Sequence, residues 1–238
     1  MESWFNFVWC IGGRVLVRNH FLRAATPKGT PIEFVGAVSA SGASYSSSAL
    51  SVSTDDLVVI YTSGKNGDFN STIIGGTASL ASIQSSVFDT GLGGNDYLYD
   101  FQVYGVTSGG TITLTEAGGQ DVMGAAIAFN GGDSVSYDQD GIGSLETVNG
   151  VVSLSGIGSD DALLYIESHQ DTSVYPTLPS GFTNTGGDEL WQVGQGGAAR
   201  DWSSRSGYLE NPSASVSHTI ANTGNDPQGA ILLRIYTA

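Results

Sequence analysis

The chain is poor in the residues that staple, break or charge a fold. Its 238 residues include one cysteine, Cys10, six prolines, and eight Lys and Arg against 23 Asp and Glu. A single cysteine excludes an intrachain disulfide and a cysteine-based zinc site, and a chain of this length can bury a core without a staple. Charged residues make up 13% of the chain, about half the usual ~25%. The bases are also unevenly placed. Residues 30–131 hold Lys65 alone against nine acids, residues 132–238 hold Arg200, Arg205 and Arg234 against thirteen, and no Lys or Arg lies between Lys65 and Arg200. A nucleic-acid surface needs a basic patch to displace counterions from phosphates, and this body offers none. An anionic membrane surface would repel it. Gly-x-Ser-x-Gly, the phosphate-binding loop and His-Glu-x-x-His are absent from the sequence. The three histidines, His20, His169 and His218, are isolated from one another. Nothing positive points to an enzyme.

What the chain has in excess is glycine: 34 residues, about twice the usual ~7%. With abundant Ser and Thr, few charges and many turn signals, this predicts an all-β protein. Two stretches repeat at an offset of about 105. Ser53-Thr54-Asp55-Asp56-Leu57-Val58-Val59-Ile60-Tyr61 matches Gly158-Ser159-Asp160-Asp161-Ala162-Leu163-Leu164-Tyr165-Ile166, and Gly124-Ala125-Ala126-Ile127 matches Gly229-Ala230-Ile231-Leu232. At an offset of 104, Thr111 to Leu114 resembles Ser215 to His218, and Tyr104 falls on Tyr208. A period this long is too large for a solenoid and is about the size of one β-sandwich. The expected organisation is two tandem antiparallel β-sandwiches, jelly-roll or immunoglobulin-like, at 30–131 and 132–238. Leu57–Tyr61 and Leu163–Ile166 read as buried central strands behind an acidic turn. Thr111–Thr115 alternates and reads as a half-exposed strand.

Residues 1–29 differ from the body. They are apolar and aromatic first, then basic, with a net charge of +3 from Arg14, Arg18, Arg23 and Lys28 against Glu2. The apolar run is too short to span a bilayer, and its charge order is the reverse of a secretory signal. The segment reads either as an arm that docks on a partner through Trp4, Phe7 and Trp9, or as non-native sequence from a misassigned start codon. A targeting segment ranks behind both.

Three sets of residues are candidates for chemistry. Asp138-Gln139-Asp140-Gly141-Ile142-Gly143 begins like a calcium loop. Asp138, Asp140 and Glu146 supply oxygens at suitable positions, but the bidentate acid of the full pattern is missing. An acidic solvated turn is the simpler reading, and no other cofactor is expected. The pairs Asp55-Asp56 and Asp160-Asp161 recur in both copies, as a turn whose Asp caps backbone N–H groups would. Trp191, Trp202, Arg205 and Tyr208 lie in the second copy. Aromatic faces beside acids, amides and Arg suit sugar recognition, while a place in the core or at an interface is the more ordinary fate of such residues.

The pieces Asp160-Asp161 with Ala162 to Ile166, Pro179-Ser180-Gly181-Phe182, Arg205-Ser206-Gly207-Tyr208 and Ala230-Ile231-Leu232-Leu233 resemble phage virion proteins built from β-sandwich domains, over most of 155–238. In the first copy Ile74-Gly75-Gly76 stands in place of the Pro-Ser-Gly turn. The resemblance implies a non-enzymatic structural protein on the virion, as capsid decoration or a tail appendage. It would contact other virion proteins and form a homo-oligomer. The alternative is a carbohydrate-binding module or adhesin, secreted or at a cell surface, that uses the aromatics of the second copy. Neither reading involves nucleic acid or a membrane span.

Overall fold

The computed structural model describes residues 8–11, 14–17, 30–42, 44–65, 72–89, 97–116, 122–142, 149–170, 175–193, 200–220 and 228–238. The protein is all-β, with no helix among these residues and hence no helix long and apolar enough to cross a membrane. An N-terminal hairpin, β1 (Val8–Ile11) and β2 (Arg14–Val17), forms a sheet of its own. The first half then contains β3 (Glu33–Gly42), β4 (Tyr45–Ser46), β5 (Leu50–Val52), β6 (Asp56–Lys65), β7 (Thr72–Gly76), β8 (Ser79–Asp89), β9 (Tyr97–Ser108), β10 (Gly110–Glu116) and β11 (Val122–Asn130). The second contains β12 (Ser134–Ile142), β13 (Gly150–Ser155), β14 (Ala162–Gln170), β15 (Thr183–Asn184), β16 (Glu189–Val193), β17 (Arg200–Glu210), β18 (Ser215–Ile220) and β19 (Gln228–Tyr236).

Each half builds one large and one small sheet. The large sheets have the same strand order: β3-β11-β6-β9-β8 in the first, and β12-β19-β14-β17 followed by β15 and β16 in the second. The small sheet of the first half has β10 at its centre, with β4 and β5 on one edge and β7 on the other. Among the described residues, the small sheet of the second half is β13 and β18. Every pairing is antiparallel.

Strand alternation explains why the central strands read as unbroken apolar runs. Along β6, Leu57, Val59 and Tyr61 face one core while Val58 and Ile60 face another. Along β14, Ala162, Leu164 and Ile166 face the first of these while Leu163 and Tyr165 face a third. Successive side chains point to opposite sides of a strand, so both faces of both large sheets are buried. The layers therefore run small sheet, large sheet, large sheet, small sheet. The largest core lies between the two large sheets and draws on both halves: Phe101, Ile127 and Phe129 pack with Leu164, Leu233 and Ile235. The sequence reading treats the copies as separate sandwiches and contains no signal for this shared layer.

The two halves meet through the same face of each. β3 lies against β16 and β17, and β12, its counterpart, lies against β8. Phe34 of β3 stacks on Tyr208 at 4.2 Å and 12°, while Tyr137 of β12 meets Phe101 edge-on at 4.9 Å. Such reciprocity is the mark of an isologous contact, here within one chain. Polar groups stitch the joint as well. Phe34 N–H donates to Glu210 Oε1 (2.7 Å), Ile32 N–H to the Asp160 carbonyl (3.0 Å), and the Tyr61 hydroxyl lies 3.3 Å from Ser204 Oγ. Gly132, between the halves, has φ +82°, and a Cβ there would stand 2.7 Å from Ile235 Cγ2; the chain turns here in a conformation and a space that suit glycine.

The structure also corrects the repeat alignment. The offset of 105 holds for β6 and β14. Tyr104 pairs with Val58 and Tyr208 with Leu164, however, so these two tyrosines face different cores. The structural counterpart of Tyr208 is Val103. β11 and β19 correspond at 106, which brings Ile127 onto Leu233 in the shared core. The offset of 104 between β10 and β18 stands: Ile112 and Leu114 line the core of the first half, and Val216 and His218 face that of the second.

Because the shared core joins both halves, Ile127→Ala or Leu233→Ala should cost about 2–5 kcal/mol and lower one common transition. Calorimetry should show a single unfolding peak for the wild type and for both variants; separate peaks would contradict a common core.

Candidate functional site

Each acidic pair is placed by the turn before a central strand. Asp56 Oδ2 accepts the N–H of Ser53 (2.7 Å), and Asp161 Oδ2 accepts that of Gly158 (2.5 Å). In both turns the same acid also donates its own N–H to the carbonyl three residues back. These carboxylates hold the entry to β6 and β14 by the local capping that favours Asp in turns. Asp161 is further held by Arg234 Nε at 2.6 Å.

Asp138 and Asp140 stand in strand β12, not in a loop. Asp138 Oδ2 accepts the N–H of Ser153 and Asp140 Oδ2 that of Val151, each at 2.7 Å. The two acids thus satisfy the edge of β13 that faces away from β18. Their counterparts in β3, Val38 and Ala40, pack into the first half's core. Glu146 lies outside the described residues, and among those described no group of three His, Cys, Asp or Glu is gathered as metal ligands would be.

Of the four aromatic and basic candidates of the second half, Tyr208 and Arg205 do not share one surface. Tyr208 packs against the shared core, stacked on Phe34. Arg205 has the opposite strand parity. Its guanidinium lies over the Tyr175 ring at 5.9 Å, donates to the Pro176 carbonyl at 3.4 Å and sits 3.4 Å from Asp188 Oδ2. Asn184 Nδ2 donates to the same Asp188 oxygen at 2.6 Å. Asp188 Oδ1 is buried without a hydrogen-bond partner among the described residues, a state that costs free energy unless something fills it; Arg205 Nε makes no hydrogen bond of its own there but is the atom paired with Asp188 Oδ2. Trp191 and Trp202 are direct register partners in β16 and β17. In the N-terminal hairpin, Trp9 is paired with Leu16, and Trp4 and Phe7 lie outside the described residues.

A further cluster escapes sequence reading. In the core of the second half, the Tyr165 hydroxyl donates to Glu167 Oε2 and His169 Nε2 lies against Glu167 Oε1, both at 2.6 Å. His218, from β18, meets the Tyr165 ring edge-on at 5.0 Å. Glu167 is 2% exposed and His169 6%. Ser203, the register partner of His169, has a buried hydroxyl with no hydrogen-bond partner among the described residues, so Ser, His and Glu do not form a bonded relay. The first half has Ile60, Thr62, Gly64 and Leu114 at the corresponding places. The signal was present in the sequence, but only as a residue-by-residue comparison of the copies: three polar residues at alternate positions replace small or apolar ones.

Burial pushes the His218 imidazole below its usual range, and the charge of Glu167 opposes this in part. A lowered histidine pKa contributes stability that is fully present above the unfolded value of 6.5 and is lost as pH falls through the folded value. Substituting the first half's residue, His218→Leu, should therefore remove part of the acid sensitivity. Melting temperatures measured from neutral to acidic pH should diverge in the variant's favour below about pH 6.5; parallel curves would refute this role for His218.

Comparison of the chain with known protein families, curated proteins and solved structures yields no match.

Proposed function

We propose that this chain is a non-enzymatic structural protein of a phage virion, displayed as capsid decoration or a tail appendage. The observation that carries the reading is the fusion of two like units, through equivalent apolar faces, into one four-layer block. Such a fold suits a rigid assembly part. The solvent faces of the two small sheets fit the same role. They present Ser46, Ser51, Thr111, Thr113 and Thr115 on one side and Ser153, Ser155, Ser215, Ser217 and Thr219 on the other, with no charge among them. The similarity of 155–238 to virion sandwiches supplies the particle, and the arm at 1–29, with Trp4, Phe7 and Trp9, supplies the attachment to other virion proteins. Quantitative mass spectrometry of purified particles tests this reading. Copies in numbers of the order of the major capsid protein would mean decoration, far fewer would mean a tail part, and absence from particles would overturn the proposal.

A second reading, a glycan-binding module at a cell surface or secreted, is favoured by the Arg205 cluster. A guanidinium, a carboxylate, an amide and the Tyr175 ring converge there, and Asp188 Oδ1 is buried without a hydrogen bond among the described residues. Ring faces and unsatisfied polar groups are what a sugar's C–H faces and hydroxyls engage. On this reading Arg205→Ala weakens glycan binding about tenfold or more, and a bound glycan raises the melting temperature of the wild type but not that of the variant, whatever stability the variant loses with its contacts to Asp188 and Pro176. A broad glycan array that the wild type fails to bind would dismiss it.

A further inference from the structure

The sequence holds three Asn-Gly pairs, Asn66-Gly67, Asn130-Gly131 and Asn149-Gly150. The first lies outside the described residues. In such a pair the asparagine side chain is open to attack by its own backbone, because the following residue has no Cβ to shield its nitrogen. That nitrogen must be uncommitted to attack, and here the two described pairs differ.

Gly150 stands in β13 as the register partner of Ile220. Val151 and Ser153 turn their N–H groups to Asp140 and Asp138, so Gly150, Val152 and Leu154 turn theirs to β18. The Gly150 nitrogen is thus committed to the ladder, in a place where a Cβ would stand 3.1 Å from Ile220 Cδ1. Asn130 is instead the last residue of β11, and Gly131 lies beyond the ladder, exposed, at φ +71°. Its N–H makes no backbone hydrogen bond among the described residues, and a Cβ on it would meet nothing within 4 Å. The electrophile is prepared as well. Glu33 N–H donates to Asn130 Oδ1 at 2.8 Å. Charge grows on that oxygen when a nucleophile adds to Cγ, and a fixed donor stabilises it.

We infer that Asn130 is a modification site, converted by water into aspartate and β-linked isoaspartate, while Asn149 is protected. The Gly131 nitrogen bonds to Asn130 Cγ and gives up its proton; the Cγ–Nδ2 bond breaks, and ammonia leaves with that proton. The product is a five-membered succinimide, closed because both reacting groups belong to one short stretch of chain. Water then adds to one of its two carbonyls. Opening at Cγ leaves aspartate, and opening at the main-chain carbonyl leaves isoaspartate. Water enters, ammonia leaves, and nothing is oxidised or reduced. Both products fall on the joint between the halves. Isoaspartate lengthens the main chain next to Gly132, where Ile32 and Ile235 leave no room for a Cβ. Aspartate puts a third carboxylate into one cross-strand row, because Asn130 pairs with Glu33 on one side and with Asp56 on the other. Like charges directly opposite one another destabilise a sheet.

Peptide mapping by mass spectrometry tests this on the full-length chain held warm at mildly alkaline pH, with the same chain in denaturant as reference. In the folded chain the Asn130 peptide should gain the mass of an amide-to-acid exchange and split into two products, about fivefold or more ahead of the Asn149 peptide. In denaturant, where no ladder holds Gly150, the two should convert at similar rates. Asn130→Gln should stop conversion at that peptide and remove the part of the fall in melting temperature on ageing that comes from it. Should Asn130→Gln fail to fold, the wild-type map decides alone. Asn130→Asp should lower the melting temperature at low salt, and less at high salt; an unchanged melting temperature overturns the consequence drawn for the joint. An Asn149 that keeps pace with Asn130 in the folded chain overturns the inference, as does an Asn130 that converts only in denaturant.

Discussion

The apolar layer between the two large sheets is the constraint on which the rest depends. Without it, the inner face of each large sheet would expose Leu, Ile, Val and Phe side chains to water, at roughly 25 cal/mol per Å² of apolar surface. With it, both sheets are covered twice over, and the central strands can be apolar at every position. The small outer sheets are then free to be short, polar and different from each other. This order of dependence also accounts for the low charge of the chain. In a four-layer block two of the layers are interior on both faces, and charged residues are tolerated there only when paired, as Glu167 is with His169 and Tyr165.

Much of the fold was legible in the sequence. The glycine and turn content pointed to β structure, the runs at Leu57–Tyr61 and Leu163–Ile166 to buried central strands, and the alternation at Thr111–Thr115 to a strand with one wet face. Buried runs tell how many faces of a strand are covered but not by what. The contact between halves therefore had no signature of its own, and the copies read as independent sandwiches. Offsets drift for a related reason. Residues inserted or lost in loops shift a strand's alignment by one, and one residue is enough to send a side chain to the other face. The apparent pairing of Tyr104 with Tyr208 is such a shift.

Candidate residues were less legible, because a residue type announces a chemistry only when its neighbours are known. Asp138 and Asp140 have the spacing of cation ligands, and the same spacing places both on one side of a strand, where they meet the N–H groups of β13. Arg205 and Tyr208, three apart in sequence, fall on opposite faces of β17. The Tyr165, Glu167 and His169 cluster looked unremarkable because alternate positions in a strand are not contiguous, and because His218 joins it from another sheet.

Joining two like units in one chain has a consequence that a dimer of separate chains could not share. A homodimer must repeat every feature on both sides of its axis, so a titratable core would occur twice and face both ways. Here the halves keep the mating geometry of a symmetric pair while their outer layers evolve independently. Among the described residues, one side holds the ionisable core under a two-stranded outer sheet; the other holds apolar packing under a four-stranded one. The molecule therefore has a front and a back, and any array built through one of its outer layers inherits a direction.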